Sequence, residues 1–249
     1  MIHLLAAFDR CRLFPCKILA GIDEAGRGAL AGPVVAGAVI APLSFYEDAR
    51  ALKLLEAAND SKKLTAARRE MLFSAICSLA EDCKIAFSPG VADVNEIAEH
   101  NILGATKLAM QRALLAAVEK APFAVELHSL LPDSFFGLSD KCEAAAQLLV
   151  DGKPLKNFPY AHEAIVQGDG QSLVIALSSI VAKVTRDHMM LELDSCYPQY
   201  GFIDHKGYGV ESHREAILTH GPCPEHRELF LRKIRKGGYA ALEQDEIDF

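Results

Sequence analysis

The chain has 249 residues, 51% of them hydrophobic, a formal charge of -7 and a pI near 5.7. That length and apolar share suit one large domain, or one domain with a small appendage, and exclude a disordered chain. The acidic balance argues against a generic DNA coat, although a carboxylate cluster counts as negative until its metals arrive.

Seven cysteines (11, 16, 77, 83, 142, 196 and 223) include no C-x-x-C pair. A disulfide framework or zinc knuckle is therefore not expected, and a reducing cytoplasm fits best. The run Leu4 to Phe8 is short and is broken by Asp9, Arg10 and Arg12, so it does not read as a signal peptide. No apolar stretch reaches the length of a membrane span, and no membrane partner is expected.

Residues 1–16 read as an irregular extension. Lys17 to Gly21 and Pro33 to Leu43 read as strands flanking an acidic turn, the second rich in Val, Ile and small residues. Residues 44–60 read as a loop with some helical content, ending in the polar run Asn59 to Leu64. That run leads into a helix through Leu79 with Thr65 as its N-cap, and its lysines Lys62 and Lys63 suit phosphate contacts as well as a solvated loop. A strand near Lys84 to Phe87 comes next.

A long helix is expected from about Ile102 to Glu119, with Leu103, Met110, Leu114 and Ala117 on one stripe. Pro122 to Ala145 is of mixed polarity. The apolar run Gln147 to Val150 then ends at Asp151, and a strand over Glu163 to Gln167 ends at Gly168-Asp169-Gly170. In the following helix Leu173, Leu177, Ile180, Val184 and Leu191 share a face, while Ser179, Lys183 and Arg186 line a flank. The last third carries His205-Lys206-Gly207-Tyr208 and two short helices, the second opened by Pro224.

The stretch GIDEAGRGALAGPVVAG, Gly21 to Gly37, organises the chain. A buried strand carries two adjacent acids, Asp23 and Glu24, only at a desolvation cost that a hard divalent cation would offset. The turn Gly26-Arg27-Gly28 puts permissive backbone and a guanidinium beside that ion, where a phosphate could be held. A plain hairpin with exposed charges is the competing reading. A dinucleotide loop is disfavoured, because Gly26, Gly28 and Gly32 miss G-x-G-x-x-G by one residue. Asp151 and Asp169 repeat the pattern of an acid at a strand end beside glycine, where ligands gather in α/β sheets; each alone also suits a turn. Two ions about 4 Å apart, held by these acids, would activate water and stabilise the leaving oxygen of an in-line phosphate displacement.

GIDEAGRG, DSKKL, the Asp151 strand end, QGD, SSIVAKVTRD, YPQYGF, HKGY and His226-Arg227 together resemble ribonuclease HII, the type 2 ribonuclease H, over about Lys17 to Lys236. The resemblance implies an α/β, RNase H-like mixed sheet with flanking helices. The catalytic domain would span 17–196, a C-terminal helical substrate-binding appendage 197–236, and extensions 1–16 and 237–249. It implies hydrolysis of the RNA strand of RNA–DNA hybrids and cutting 5′ of ribonucleotides embedded in duplex DNA, leaving 3′-hydroxyl and 5′-phosphate ends, with two Mg2+ or Mn2+ ions; a monomer is expected.

Carried over, the catalytic and metal-binding acids are Asp23, Glu24, Asp151 and Asp169. The turn sensing the ribose 2′-hydroxyl is Gly26, Arg27 and Gly28, and the tyrosine packing on the sugar is Tyr208. Lys62, Lys63, Lys183, Arg186 and Lys206 are candidate phosphate contacts, Ser179 a candidate orienting residue, and His205 a candidate proton-transfer group or a plain exposed histidine.

The sequence departs from the family between the long helix and Asp151, where Pro122 to Ala145 reads as an insertion of about twenty residues. Asp133 and Asp140 lie there, but Asp151 is preferred because it follows a strand-like triplet. Leu229 stands before Phe230 where the family often has serine. A type 3 ribonuclease H, which usually carries an added N-terminal domain, and a non-catalytic binding module are the alternatives. Gln244, Ile247 and Phe249 loosely resemble a motif that docks on the replication clamp.

Overall fold

The computed structural model describes residues 4–13, 17–58, 64–123 and 146–236. Strands β1 (Ile18–Ala25), β2 (Val34–Pro42) and β3 (Ala86–Ala92) form an antiparallel meander. Strands β4 (Ala146–Asp151) and β5 (Glu163–Ile165) join the free side of β1 in parallel, giving the order β3-β2-β1-β4-β5. Helix α1 (Leu4–Arg12) precedes the sheet; α2 (Leu43–Glu47), α3 (Ala49–Leu54) and α4 (Ala66–Glu81) lie between β2 and β3. Helices α5 (Val94–Lys120), α6 (Leu173–Cys196), α7 (Phe202–His205), α8 (Glu211–His220) and α9 (Glu228–Lys236) follow.

Side chains alternate across β1. Ile18, Ala20 and Ile22 pack with the buried residues of α5, whereas Leu19 packs with those of α6. With both faces covered, β1 reads as a nearly continuous apolar run, and Asp23 interrupts it on the α6 side. Close approach by α6 depends on two missing side chains. A Cβ at Gly21 would lie 2.5 Å from the Val174 carbonyl carbon, and one at Gly37 2.2 Å from the Ser178 oxygen. The Ser178 hydroxyl donates to the Gly21 carbonyl at 2.8 Å, which sets the helix over the acid-bearing end of β1.

Helix α1 corrects the expectation of an irregular start. It buries Leu5 and Ala6 in the α6-side core, and Asp9 accepts from the Val174 amide at 3.1 Å and the Tyr46 hydroxyl at 2.9 Å. Arg12 forms a bidentate pair with Glu163 on β5. The expected helix start at Ile102 is a real boundary inside α5. Asn101, at φ 56°, breaks the helix, and its side chain caps the amides of Leu103 and Gly104. The preceding turns begin at an Asp93–Glu96 capping box.

Thr65 caps α4 as expected. β3 begins two residues later than expected and runs on to Ala92. Residues 43–54 hold the two short helices α2 and α3. Leu103 and Leu191, expected on apolar faces, are 40% and 39% exposed; in α5 it is Ile102, with Ala105, Ala109, Ala113 and Ala117, that turns inward. Pro224 lies in a turn, and α9 begins at Glu228. Helices α7 and α8, Leu231 of α9 and the loop residues Leu30 and Ala31 share a third apolar cluster with Met190 of α6. Among the described residues, no helix is long and apolar enough to cross a membrane. Lys62, Lys63, Asp133, Asp140, Gln244, Ile247 and Phe249 lie outside the described residues.

Candidate active site

The parallel pairing of β1 with β4 aligns Ile22 with Val150, so one residue further on Asp23 and Asp151 are neighbours on the α6 side of the sheet. Asp151 Oδ1 accepts from the Gly168 amide at 2.6 Å, which draws the 168–170 turn and its buried Asp169 to the same strand end. Glu24, next along β1, completes the set. The structure thus brings together acids that lie as far apart in sequence as 23 and 169.

Their electrostatics are unfavourable without a counter-ion. Burial, reinforced by the charges of Glu24 and Asp151, pushes Asp23 up to about 7. A hydrogen bond from Ser179 and the charge of Lys183 pull it the other way. Burial also raises Glu24, partly opposed by Arg27. Asp151 is raised chiefly by burial and further by Asp169. Lys183 Nζ donates to Ser179 Oγ at 2.7 Å, so the flank of α6 supplies both a hydroxyl and a cation to the acid edge. Among the described residues, no group of three or more His, Cys, Asp or Glu side chains is arranged to hold a metal ion. The carboxylates are adjacent but are not drawn into one coordination sphere.

The Gly26–Gly28 turn leaves β1 immediately after the acids. Arg27 donates to Glu24 Oε1 at 2.8 Å. Gly26 has φ +90°, and a Cβ there would fall 2.1 Å from Arg186 Nε. Gly28 is exposed, and a Cβ there would meet no atom within 4 Å. Two buried guanidiniums hold the loop from behind. Arg186 donates to the carbonyls of Pro33 at 3.0 Å, Ala31 at 3.1 Å and Lys206 at 2.9 Å. Arg227 donates to Gly32 at 2.9 Å and Arg27 at 3.0 Å, and burial lowers its pKa to about 9.

The structure gives Arg186 a bracing role: at 1% exposure each of its three guanidinium nitrogens donates to a backbone carbonyl, while the residue also lines the cleft beside Tyr208. It supports the ring of Tyr208, its Cζ lying 5.3 Å from the centroid. Tyr208 is 43% exposed, and it borders a cleft of about 410 Å³ with Ala25, Lys183, Lys206 and Arg69. Lys206 Nζ donates to the Ile203 carbonyl. His205 is engaged at both ring nitrogens, by Tyr200 O and the Gly207 amide, so it is not the plain exposed histidine of the alternative reading.

Sequence reasoning missed Arg69. It donates to the Leu64 carbonyl at 2.8 Å and approaches Asp187 at 3.5 Å, tying the segment after Lys63 to α6. No spacing rule links residue 69 to 187, so the sequence carried no signal for it. The paired burial of His213 and His226 was equally invisible.

The Ribonuclease HII family profile matches residues 20–233. A ribonuclease HII of Geobacter sulfurreducens is 46% identical over 220 residues, covering 88% of this chain and 84% of that one. The ribonuclease H2 structure from Pyrococcus horikoshii OT3 aligns with TM-score 0.59 at 23% identity, over 88% of this chain and all of that one. RNase HII in the PCNA:RNase HII complex from Archaeoglobus fulgidus aligns with TM-score 0.59 at 21% identity, over 88% of this chain and 97% of that one. The two structures speak to the fold alone, and it is the RNase H-like sheet with flanking helices. With the profile spanning nearly all of the described chain and that level of identity, this chain belongs to the ribonuclease HII family, the hydrolases known as type 2 ribonuclease H.

Proposed function

We propose that the enzyme cuts the strand of a duplex on the 5′ side of a ribonucleotide, acting on RNA–DNA hybrids and on single ribonucleotides in DNA. The RNase H family depends on divalent metal, and Asp23, Glu24, Asp151 and Asp169 are the residues that would hold it here, with Mg2+ or Mn2+ as the expected ions. Their donor set is hard oxygen only, the kind these cations take. When bound, such ions activate water and stabilise the departing 3′ oxygen.

The observation that carries the reading is the mutual charging of the acids: Asp23 and Asp151 are each raised by burial and by a neighbouring carboxylate. A cation relieves both costs. Glu24 is held by Arg27, so its release from that pair is the movement expected on loading.

The remaining residues bind and orient. The exposed backbone at Gly28, beside Arg27, is suited to reading a 2′-hydroxyl at close range. Tyr208 presents a half-exposed ring across the cleft for the adjoining sugar, with Lys183 and Lys206 near enough for phosphate contacts. Lys62 and Lys63 are proposed as further phosphate contacts. The tail residues Gln244, Ile247 and Phe249 are proposed to dock on a replication clamp, and deleting the last six residues should then abolish clamp binding.

A cleavage assay with added Mg2+ or Mn2+ tests the main reading, using a duplex with one embedded ribonucleotide, a long hybrid and an all-DNA duplex. The first two should be cut and the third spared, and Asp23→Asn or Asp151→Asn should abolish cutting. Cutting of the long hybrid alone would instead match type 3 behaviour. Equal cutting of all-DNA duplex, or full activity in either variant, would refute the assignment.

A further inference from the structure

Behind Tyr208 lies a hydrogen-bonded chain of imidazoles that the chemistry above does not use. His213 is fully buried and His226 is 5% exposed, and their Nε2 atoms are 3.1 Å apart. The outer contacts fix which nitrogens carry protons. His213 Nδ1 faces the Tyr208 carbonyl at 2.9 Å; a carbonyl only accepts, so Nδ1 donates and Nε2 is left as an acceptor. His226 must then donate from Nε2, leaving its Nδ1 to accept. The Cys223 amide does donate to that Nδ1, at 3.0 Å, with Cys223 Sγ 3.1 Å away. His205 stacks on His213 with ring centroids 4.3 Å apart. Every contact is therefore satisfied by a single set of neutral tautomers.

The two ends of this chain lead to different parts of the site. One end is the Tyr208 carbonyl. At the other, His226 forms a β-bridge to Ala31, the Arg227 amide donates to the Leu30 carbonyl at 2.8 Å, and Arg227 Nη1 donates to the Arg27 carbonyl. The Leu30 amide closes the circuit on the Gly207 carbonyl at 2.8 Å. We propose that His213 and His226 are positioning residues that hold Tyr208 in register with the Gly26–Gly28 turn, so that ring and turn meet one nucleotide together. The inference rests on the reading above, in which those two elements contact the ribonucleotide.

The test is a double-mutant cycle on kcat and KM for a duplex with one embedded ribonucleotide, with thermal unfolding followed alongside. His213→Ala should lower kcat/KM about tenfold, chiefly through KM. His213→Asn, whose side-chain N–H can still reach the Tyr208 carbonyl, should recover most of that loss. In a Tyr208→Ala background, where the backbone carbonyl remains but the ring does not, His213→Ala should cost less than twofold, because the ring it positions is already gone. Should the alanine variant fail to fold, His213→Phe fills the space without a donor and takes its place in the cycle. Losses that simply multiply, or an Asn variant no better than Ala, would overturn the positioning role. A Tyr208→Ala enzyme of unchanged activity would instead refute the contact of Tyr208 with the sugar and remove the basis of the inference, an outcome separate from multiplying losses.

Discussion

Gly26 and Gly28 stand two residues apart, yet the structure gives them different jobs, and alanine at each separates stability from activity. At Gly26 the backbone has φ +90°, where an L-residue costs about 1–2 kcal/mol. The new Cβ would also lie 2.1 Å from Arg186 Nε. A flexible surface arginine would swing away, but this one is 1% exposed and bonded to three carbonyls. Hydrogen bonds from charged donors contribute about 1.5–3 kcal/mol each, so losing even one brings the expected destabilisation of Gly26→Ala to about 3–5 kcal/mol.

Gly28→Ala meets no atom within 4 Å and no unfavourable φ, so its stability should stay within about 1 kcal/mol of the parent. Its cutting should nonetheless fall on the order of 100-fold, because a methyl group there displaces the ribose from the turn. Urea unfolding and single-turnover cleavage at one embedded ribonucleotide measure the two effects. A Gly28→Ala enzyme that cuts at the parental rate would refute substrate contact at the turn. A Gly26→Ala enzyme of parental stability would refute the account of Arg186.

Three further outcomes are expected. Burial raises Asp9 from 3.8 to about 6; its folded-state value exceeds the unfolded one, so this carboxyl favours folding most below pH 4 and the benefit disappears as pH rises through 6. That amounts to about 3 kcal/mol, so the urea stability of Asp9→Asn relative to the parent should improve by about that much between pH 4 and pH 7, and a difference flat with pH would contradict it. His213 and His226 behave oppositely: burial lowers each from 6.5 to about 4, so stability is full above pH 6.5 and is lost as pH falls towards 4. On the order of 2–3 kcal/mol each is at stake, and a His213→Gln/His226→Gln protein with the parental slope between pH 7 and pH 5 would argue against it. Finally, Ser179→Ala removes the buried hydroxyl between Lys183 and Asp23 and should lower kcat about tenfold while costing about 1–3 kcal/mol of stability, read by steady-state kinetics on the folded enzyme and by urea unfolding.

Much of the candidate site is legible in the sequence, because its chemistry demands rare local patterns. Adjacent acids in an apolar strand, a Gly-Arg-Gly turn directly after them, and Asp-Gly at two later strand ends are each costly or unusual, and together they carried the resemblance drawn from the sequence. Periodicity likewise disclosed the heart of α6, and the break at Asn101 surfaced as the expected start of a helix at Ile102. What escaped were relations between distant residues. Arg186 looked like a surface cation on a helix flank, and only packing against the 26–33 loop shows each of its nitrogens donating to a backbone carbonyl. Asp9 looked like a charge interrupting an N-terminal run, and only the docking of α1 turns it into a cap for α6. Local sequence constrains backbone propensity and charge cost within a few residues; which buried donor meets which acceptor depends on how the layers close on one another, and that information resides in the tertiary structure.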